Sequence, residues 1–158
     1  MLIRRATKED LGRINDLLRQ ILEVHATGRP DIFISGRKKY NDDELIAILQ
    51  EDSTPVFVAE DETGFVVGYA FCELQVTKDN AILQDRTVLF IDDLCVDEAC
   101  RGKHIGTALF EHVSAFAKES GCDGITLNVW SLNESAMRFY EKCGLTPLKV
   151  VLEKKITQ

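Results

Sequence analysis

The feature that most constrains the fold is a hydrophobic strand pattern that runs, through a short basic loop, directly into a helical pattern. Residues 87–96 are the most hydrophobic strand-like segment, and residues 97–104 contain glycine, arginine and lysine. Apolar residues then recur at helical spacing over residues 105–119. A strand joined to a helix in this way is typical of a sheet whose faces are covered by helices.

Strand and helix patterns also alternate through the rest of the chain. Hairpin-forming strands come first and a strand-helix-strand unit follows, which predicts an α/β fold with a mixed, mostly antiparallel sheet and helices on both faces. Because no repeat or linker interrupts the pattern, residues 1–158 are expected to form a single domain. The predicted strands cover residues 2–5, 55–59, 65–76, 87–96, 125–129 and, as one strand or two, 148–156; the predicted helices cover residues 8–24, a stretch capped by Asp42 or Asp43 that includes Leu49, and residues 105–119 and 133–143.

Composition and charge restrict the class of partner and the compartment. The chain has 19 basic and 26 acidic residues, a net charge of −7, which argues against a nucleic-acid binder. The negative charge serves solubility or attracts a cationic acceptor. No apolar stretch is long enough for a membrane partner and no signal peptide is apparent, so a cytoplasmic protein is expected. The five cysteines and three histidines show no metal-binding spacing, and reduced thiols are expected.

The loop between the hydrophobic strand and its helix has the chemistry of an anion site. The first N–H groups of a helix lack internal partners, and the helix dipole places partial positive charge there. Arg101 and Lys103 add charge, and Gly102 and Gly106 permit close backbone approach because they lack Cβ atoms. The pattern indicates a phosphate-bearing ligand, with a solvated basic turn as the alternative. The residue orders of Walker A and dinucleotide-binding loops do not occur here.

Two blocks of the sequence resemble one known family, the GCN5-related N-acetyltransferases (GNAT). The segment 90–107 is similar to their acetyl-CoA-binding segment, whose loop reads [QR]-x-x-G-x-[GA]; Arg101 fills its first position and Gly106 its last, but His104 replaces the middle glycine. The segment 133–145 resembles the family pattern N-x-x-A-x-x-[LF]-Y-x-x-x-G-[FL]. The resemblance in layout extends over about residues 2–152.

The resemblance implies that an acetyl group passes directly from acetyl-CoA to an amine in a ternary complex, and that a homodimer is plausible. Tyr140 is the implied acid that protonates the departing thiolate. Asn133 would hydrogen-bond the cofactor, Phe139 would pack against it, and Ala136 belongs to the same motif. The implied contacts of the pantetheine and then of the pyrophosphate are the backbones of Leu94, Cys95 and Val96, followed by those of Arg101, Gly102, Lys103, His104, Ile105, Gly106 and Thr107.

An acidic pair interrupts the hydrophobic strand and suggests a base for the acceptor amine. Asp92 and Asp93 lie on opposite faces of a regular strand. Several family members that acetylate small amines carry an acidic residue at the Asp92 position, so Asp92 rather than Asp93 is expected to support deprotonation. A bulge in the strand would transfer that role to Asp93, and a structural ion pair is the alternative for either residue.

The acceptor itself stays open at this point. A small amine, such as a polyamine, an aminoglycoside or an amino acid, is the leading interpretation. The alternatives are a protein N-terminal or lysine acetyltransferase, with a peptide groove around Asp31 and Tyr69, and a non-catalytic acyl-CoA-binding sensor. His25 either caps the first helix or acts in catalysis, and Trp130 either lines the acceptor pocket or belongs to the core. Cys95 is interpreted as a small core residue rather than a nucleophile.

Overall fold

A computed structural model describes residues 1–156 of the chain. The order of elements follows the predicted order up to the last helix, and the boundaries mostly agree within two residues. The elements are β1 (Leu2–Arg5), α1 (Leu11–Gly28), α2 (Asp42–Gln50), β2 (Val56–Glu60), β3 (Val66–Thr77), β4 (Arg86–Val96), α3 (Ile105–Glu119), β5 (Gly124–Leu127) and α4 (Glu134–Lys142), with short 3-10 turns at Lys8–Asp10 and Glu98–Cys100.

The five strands form one open sheet in the order β1-β2-β3-β4-β5. The first three pairs of neighbours are antiparallel, and β4 and β5 are parallel. A parallel pair needs a crossover connection, and α3 provides it. The predicted mixed, mostly antiparallel sheet is therefore confirmed.

Helices cover both faces of this sheet, as predicted. Val56 and Val58 of β2 are fully buried in a core that includes side chains of α1 and α2. Phe57, which lies between them, packs instead on α3, with ring centroids 4.8 Å from that of His112 and 5.2 Å from that of Phe116. Because neighbouring strand residues point to opposite faces, α1 and α2 lie on one side and α3 on the other.

A glycine lets α3 approach the sheet closely. A Cβ atom at Gly68 of β3 would lie 2.9 Å from the carbonyl oxygen of Cys95 and 3.1 Å from a side-chain carbon of Leu109. Any larger residue would push α3 or β4 away. Gly68 thus helps to hold the start of α3 against the end of β4.

Two local predictions need correction near the first two helices. The first helix continues to Gly28 rather than ending at Val24, because its last turns remain packed on the core through Ala26. The second helix is capped by Asn41, whose side chain accepts a hydrogen bond from the Glu44 amide, rather than by Asp42 or Asp43. The Glu44 carboxylate returns a bond to the Asn41 amide and completes a capping box.

Contacts divide the chain into two compact units, Met1–Asn128 and Val129–Gln158. The predicted strand at 148–156 is wrong: within the described residues, this stretch is neither strand nor helix. Its apolar residues have the pattern of a strand, but a strand also requires a neighbour for its backbone groups.

The fifth strand is also shorter than predicted and ends at Leu127. In residues 1–156, no helix is long and apolar enough to span a bilayer.

Candidate active site

The end of β4 extends beyond its parallel neighbour and leaves one strand edge open. The pairing of β4 with β5 runs from Val88 to Ile91, whereas β4 continues to Val96. The residues from Leu94 to Val96 pair with β3 on one side, and over residues 1–156 no strand pairs with their other side. Their backbone groups on that side are available to an extended ligand that lies along the strand.

The loop and the first turn of α3 follow directly after this edge. Ala108 donates the first hydrogen bond of the helix, to the carbonyl of His104 at 3.0 Å, so the amides of Ile105, Gly106 and Thr107 precede it. Residues 101–104 (Arg101, Gly102, Lys103 and His104) are exposed. The structure therefore places two cationic side chains and a row of helix N-terminal amides in one continuous segment.

Sequence reasoning missed the anchor that holds this loop. Asp97, at the end of β4, is buried and forms an ion pair with Arg13 of α1. Arg13 also donates to the carbonyl of Val66 at 2.8 Å and lies 4.5 Å above the ring of Phe65. The other carboxylate oxygen of Asp97 accepts from the Ala99 amide at 2.9 Å. A basic residue on the outer side of the first helix pattern carries no signal that it pairs with a residue 84 positions away.

His104, where the family pattern has glycine, adopts a left-handed backbone conformation with φ 60° and ψ 17°. A residue with a Cβ atom is strained there and glycine is not. We expect His104→Gly to increase the free energy of unfolding by about 1 kcal/mol, which raises the melting temperature by roughly 2–4 °C for a chain of this size. We also expect it to keep or improve CoA affinity. Thermal melts and CoA titration measure both effects.

Gly102→Ala is the control for this expectation. Gly102 has φ +80°, so adding a Cβ atom there should lower stability where its removal at His104 raises it. A loss of CoA affinity of more than tenfold in His104→Gly would show that the imidazole contacts phosphate, and the strain argument would not describe its role.

A bulge in β4 interrupts the regular alternation of side chains between the two faces of the sheet at Asp92 and Asp93. Phe71 of β3 pairs with Asp93 while the next residue, Cys72, pairs with Ile91, so Asp92 is the extra residue. The expected alternation of Asp92 and Asp93 onto opposite faces is therefore wrong. Both carboxylates interact electrostatically with Lys39. The sequence contains no signal for the bulge, because its position depends on how β3 and β4 pair.

Asp93 is partly buried and held in place by the side chain of Tyr69. The Tyr69 hydroxyl, which is fully buried, donates a hydrogen bond of 2.7 Å to its carboxylate. Burial raises the pKa of Asp93 above its usual value, although the bond from Tyr69 and the charge of Lys39 oppose the rise. Burial also raises the pKa of Tyr69, which stays a neutral donor. Since Tyr69 has no exposed surface, its side chain cannot line the peptide groove considered above.

Asp92 is more exposed and pairs with a lysine from the segment after α1. The Nζ atom of Lys39 lies 3.0 Å from a carboxylate oxygen of Asp92, and each side chain is 42% exposed. Burial works against the charge of Lys39, but the hydrogen bond and the charge of Asp92 outweigh it and raise its pKa. Tyr40 stacks on Phe71 with ring centroids 6.1 Å apart, and this contact fixes the backbone next to Lys39.

His25 lies in the last turn of α1, on the same side as Asp93. Burial lowers the pKa of His25 below its usual value, and the nearby charge of Asp93 opposes the shift. Its ring lies 5.0 Å from that of Phe33, and its carbonyl accepts from the Arg29 amide at the end of the helix. The imidazole is therefore mostly neutral at pH 7 and able to accept a proton.

Cys95 has the environment expected of a core residue. It is 4% exposed and belongs to the core cluster formed with α1 and α2. Burial raises the pKa of its thiol to about 12, so the nucleophilic thiolate is disfavoured. Only the backbone of Cys95 remains as a candidate for ligand contact.

The residues of the second sequence block lie in the second unit. Asn133 caps α4, and its side-chain oxygen accepts from the Ala136 amide at 3.2 Å. Phe139 and Tyr140 follow on the helix, with ring centroids 5.0 Å apart. Trp130 lies in this unit too, beyond the end of β5, and is 40% exposed. The capping role of Asn133 explains why asparagine suits this position on structural grounds alone.

The structure has an open mixed sheet, a strand edge beside a helix N-terminus, and a basic loop. These features agree with the fold that the sequence resemblance implies. The model of the Acetyltransferase (GNAT) family matches residues 18–145. The chain therefore belongs to the GNAT family.

Relatives and solved structures agree with this assignment. The uncharacterized N-acetyltransferase MJ1207 of Methanocaldococcus jannaschii is 29% identical over 149 residues, which are 94% of this chain and 62% of that protein. This chain thus spans less than two thirds of the length of MJ1207. A glucosamine 6-phosphate N-acetyltransferase of Arabidopsis thaliana is 26% identical over 117 residues, 74% of this chain and 68% of that protein.

Among solved structures, a mutant of the BH1408 protein from Bacillus halodurans is 33% identical, with a TM-score of 0.96 over 99% of this chain and 100% of that chain. An aminoglycoside N-acetyltransferase in complex with CoA has a TM-score of 0.74 over 98% of this chain and 93% of that chain. At 19% identity, this second structure shows only that the fold is shared.

Proposed function

We propose that this protein is an N-acetyltransferase that moves an acetyl group from acetyl-CoA to the amine of a small molecule by direct transfer in a ternary complex. The observation that carries the proposal is the open edge at Leu94–Val96, which leads into the basic loop and the first amides of α3 at one end. At its other end lies the carboxylate pair. A thioester arm along this edge would place its acyl group near the bulge.

The cofactor contacts in this proposal follow the segment. The backbones of Leu94, Cys95 and Val96 bind the pantetheine arm as an added strand would. The backbone amides between Arg101 and Thr107 bind the pyrophosphate, supported by the charges of Arg101 and Lys103. Asn133, Ala136 and Phe139 are assigned to the cofactor by family resemblance.

The acceptor amine must lose a proton before or during its attack on the thioester carbon. We assign proton acceptance to Asp93, directly or through water, because burial raises its pKa toward the range in which a base works. Asp92 is assigned to binding and orienting the amine, which differs from the role that a regular strand predicts for it. A backbone N–H of the open edge serves the developing oxyanion.

The experiment that tests this function measures thiol release from acetyl-CoA over a panel of amines. Polyamines, aminoglycosides, amino acids, sugar amines and peptides represent the acceptor classes. Release that depends on a small amine supports the proposal. Release only with peptides would indicate a protein acetyltransferase instead. Tight CoA binding without release from any acceptor would indicate a sensor.

Tyr140 is proposed as the acid that protonates the departing thiolate. Its hydroxyl matters only as charge develops on sulfur, so Tyr140→Phe should lower kcat by roughly 10²-fold or more and leave acetyl-CoA affinity nearly unchanged. Steady-state kinetics and a CoA titration on the same preparation separate the two quantities. Full activity of Tyr140→Phe would assign protonation to water and packing to this tyrosine.

We also propose that the protein is cytoplasmic, in keeping with free thiols at all five cysteines.

We further propose that the protein is a homodimer. Five apolar side chains between Leu148 and Ile156 are 72–90% exposed, and exposed apolar patches mark interaction surfaces. A second copy of the chain is the proposed cover. Light scattering should give twice the mass of 17.8 kDa, and a Val151→Asp, Leu152→Asp double variant should give a monomer. A monomeric wild type would contradict the dimer.

A further inference from the structure

The ion pair between Lys39 and Asp92 lies where the proposed acceptor would bind. Asp92 is the bulged residue of β4, adjacent to the open strand edge. Lys39 comes from the segment between α1 and α2, on the same side of the sheet as His25 and Asp93. The two charges therefore face each other beside the carboxylate that is assigned to proton acceptance.

Lys39 is held near Asp92 by its neighbour and not by the ion pair alone. The ring of Tyr40 is half-buried and stacks on Phe71, which is 3% exposed. The Nζ atom of Lys39 also lies 5.2 Å from the centre of the Tyr40 ring. This packing brings the ammonium group to the acidic pair whether or not a ligand is present.

The ion pair is well suited to exchange with a ligand. Both side chains are partly exposed, and an exposed ion pair contributes little to stability. A ligand with a positive and a negative group can replace one internal ion pair with two new ones. A ligand with positive charge alone would compete with Lys39 for Asp92 and leave the lysine without its partner.

The local distribution of positive charge also favours the binding of an anionic group by Lys39. The chain has a net charge of −7, yet Arg37, Lys38 and Lys39 are three consecutive basic residues. Lys38 is paired with Asp42 at 2.7 Å and points to the second helix. Lys39 pairs across to β4 instead, at 3.0 Å from Asp92. Of these two lysines, Lys39 is the one that reaches the candidate active site.

We infer that the acceptor is a zwitterion, a primary amine that also carries a carboxylate or phosphate group. Asp92 binds its ammonium group and Lys39 binds its anionic group. The inference rests on the proposed acetyltransferase function and narrows its acceptor class. Lys39 acts in specificity and not in the transfer step, so its effect belongs in the preference between acceptors.

The test compares matched amines that differ in the anionic group. Glycine is paired with glycinamide, and O-phosphoethanolamine with ethanolamine; spermidine represents the polycations. Thiol release gives kcat/KM for each, and dividing the ratio within a pair by the same ratio in a lysine variant cancels differences in amine pKa. The wild type should prefer the anionic member of at least one pair by roughly tenfold, the ratio that a charge-assisted hydrogen bond confers. Whether the carboxylate or the phosphate pair shows the larger ratio identifies the anion.

Two lysine variants make the assignment specific. Lys39→Met should reduce the ratio roughly tenfold, because the anion loses its partner. Lys38→Met removes a neighbouring positive charge that is paired elsewhere, and it should keep the wild-type ratio. A wild type that shows no preference in either pair, or that prefers spermidine, would overturn the inference. So would a ratio that survives in Lys39→Met.

The two levels of the proposal fail in different ways. Thiol release with amines but without anion preference contradicts the zwitterionic acceptor alone. If no amine gives thiol release, both the acetyltransferase function and the zwitterionic acceptor are contradicted.

Discussion

Asp93→Asn should slow acetyl transfer by roughly 10²–10⁴-fold, the usual range for a positioned proton transfer. Asparagine has the shape of aspartate and can still accept the hydrogen bond from Tyr69, so the fold should be retained. It cannot accept a proton from the amine. The loss therefore belongs in kcat/KM for the acceptor, and acetyl-CoA affinity should change little.

The pH dependence gives this expectation a sign. Burial raises the pKa of Asp93, so the ionised base is lost as pH falls through a value above that of an ordinary aspartate. The wild-type rate should fall there, and Asp93→Asn should lack that inflection. The defect of Asp93→Asn should therefore grow as pH rises through the pKa of Asp93, and shrink only at higher pH, near the pKa of the amine, where more of the amine is already neutral.

The matched control is Asp92→Asn, which removes the neighbouring carboxylate. It should raise KM for the acceptor more than it lowers kcat, because Asp92 is assigned to amine binding. If Asp93→Asn keeps the wild-type profile while Asp92→Asn loses activity with its fold intact, the roles of the two aspartates are the reverse of those proposed.

Gly106→Asp should abolish binding of acetyl-CoA. Two unit charges about 4 Å apart interact by about 4 kcal/mol near a protein surface, which corresponds to roughly a 10³-fold loss of affinity. The wild type at ~100 times its dissociation constant should gain about 2.7 kcal/mol of stability from the ligand. Thermal melts with and without acetyl-CoA should show this gain in the wild type and none in the variant.

An unfolded variant cannot explain such a result. Position 106 is in the first turn of α3, where a negative charge is favourable for the helix itself, and aspartate replaces glycine, a weak helix former. The apo variant should be at least as stable as the wild type. Gly106→Asn, with similar size and no charge, should bind more tightly than Gly106→Asp. Normal affinity in Gly106→Asp would show that the phosphate site lies elsewhere.

The sequence alone determined most of the local elements and the family. Periodicity predicted α3 at its observed bounds, Ile105–Glu119, because a surface helix must bury one face and expose the other. The glycines and basic residues after β4 predicted an anion-binding loop because their conformational freedom and charge are properties of the residues themselves. The two family blocks predicted the class of protein by resemblance, and the family match over residues 18–145 confirms it.

Only the tertiary structure decided how the acidic pair is arranged and what surrounds it. The bulge exists because β3 and β4 pair in a shifted register, and register depends on two strands at once. The pairing of Lys39 with Asp92 and of Arg13 with Asp97 joins residues 53 and 84 positions apart. The segment 148–156 fails as a strand for the complementary reason: its own residues favour an extended chain, but the hydrogen-bond partners that make a strand must come from another segment.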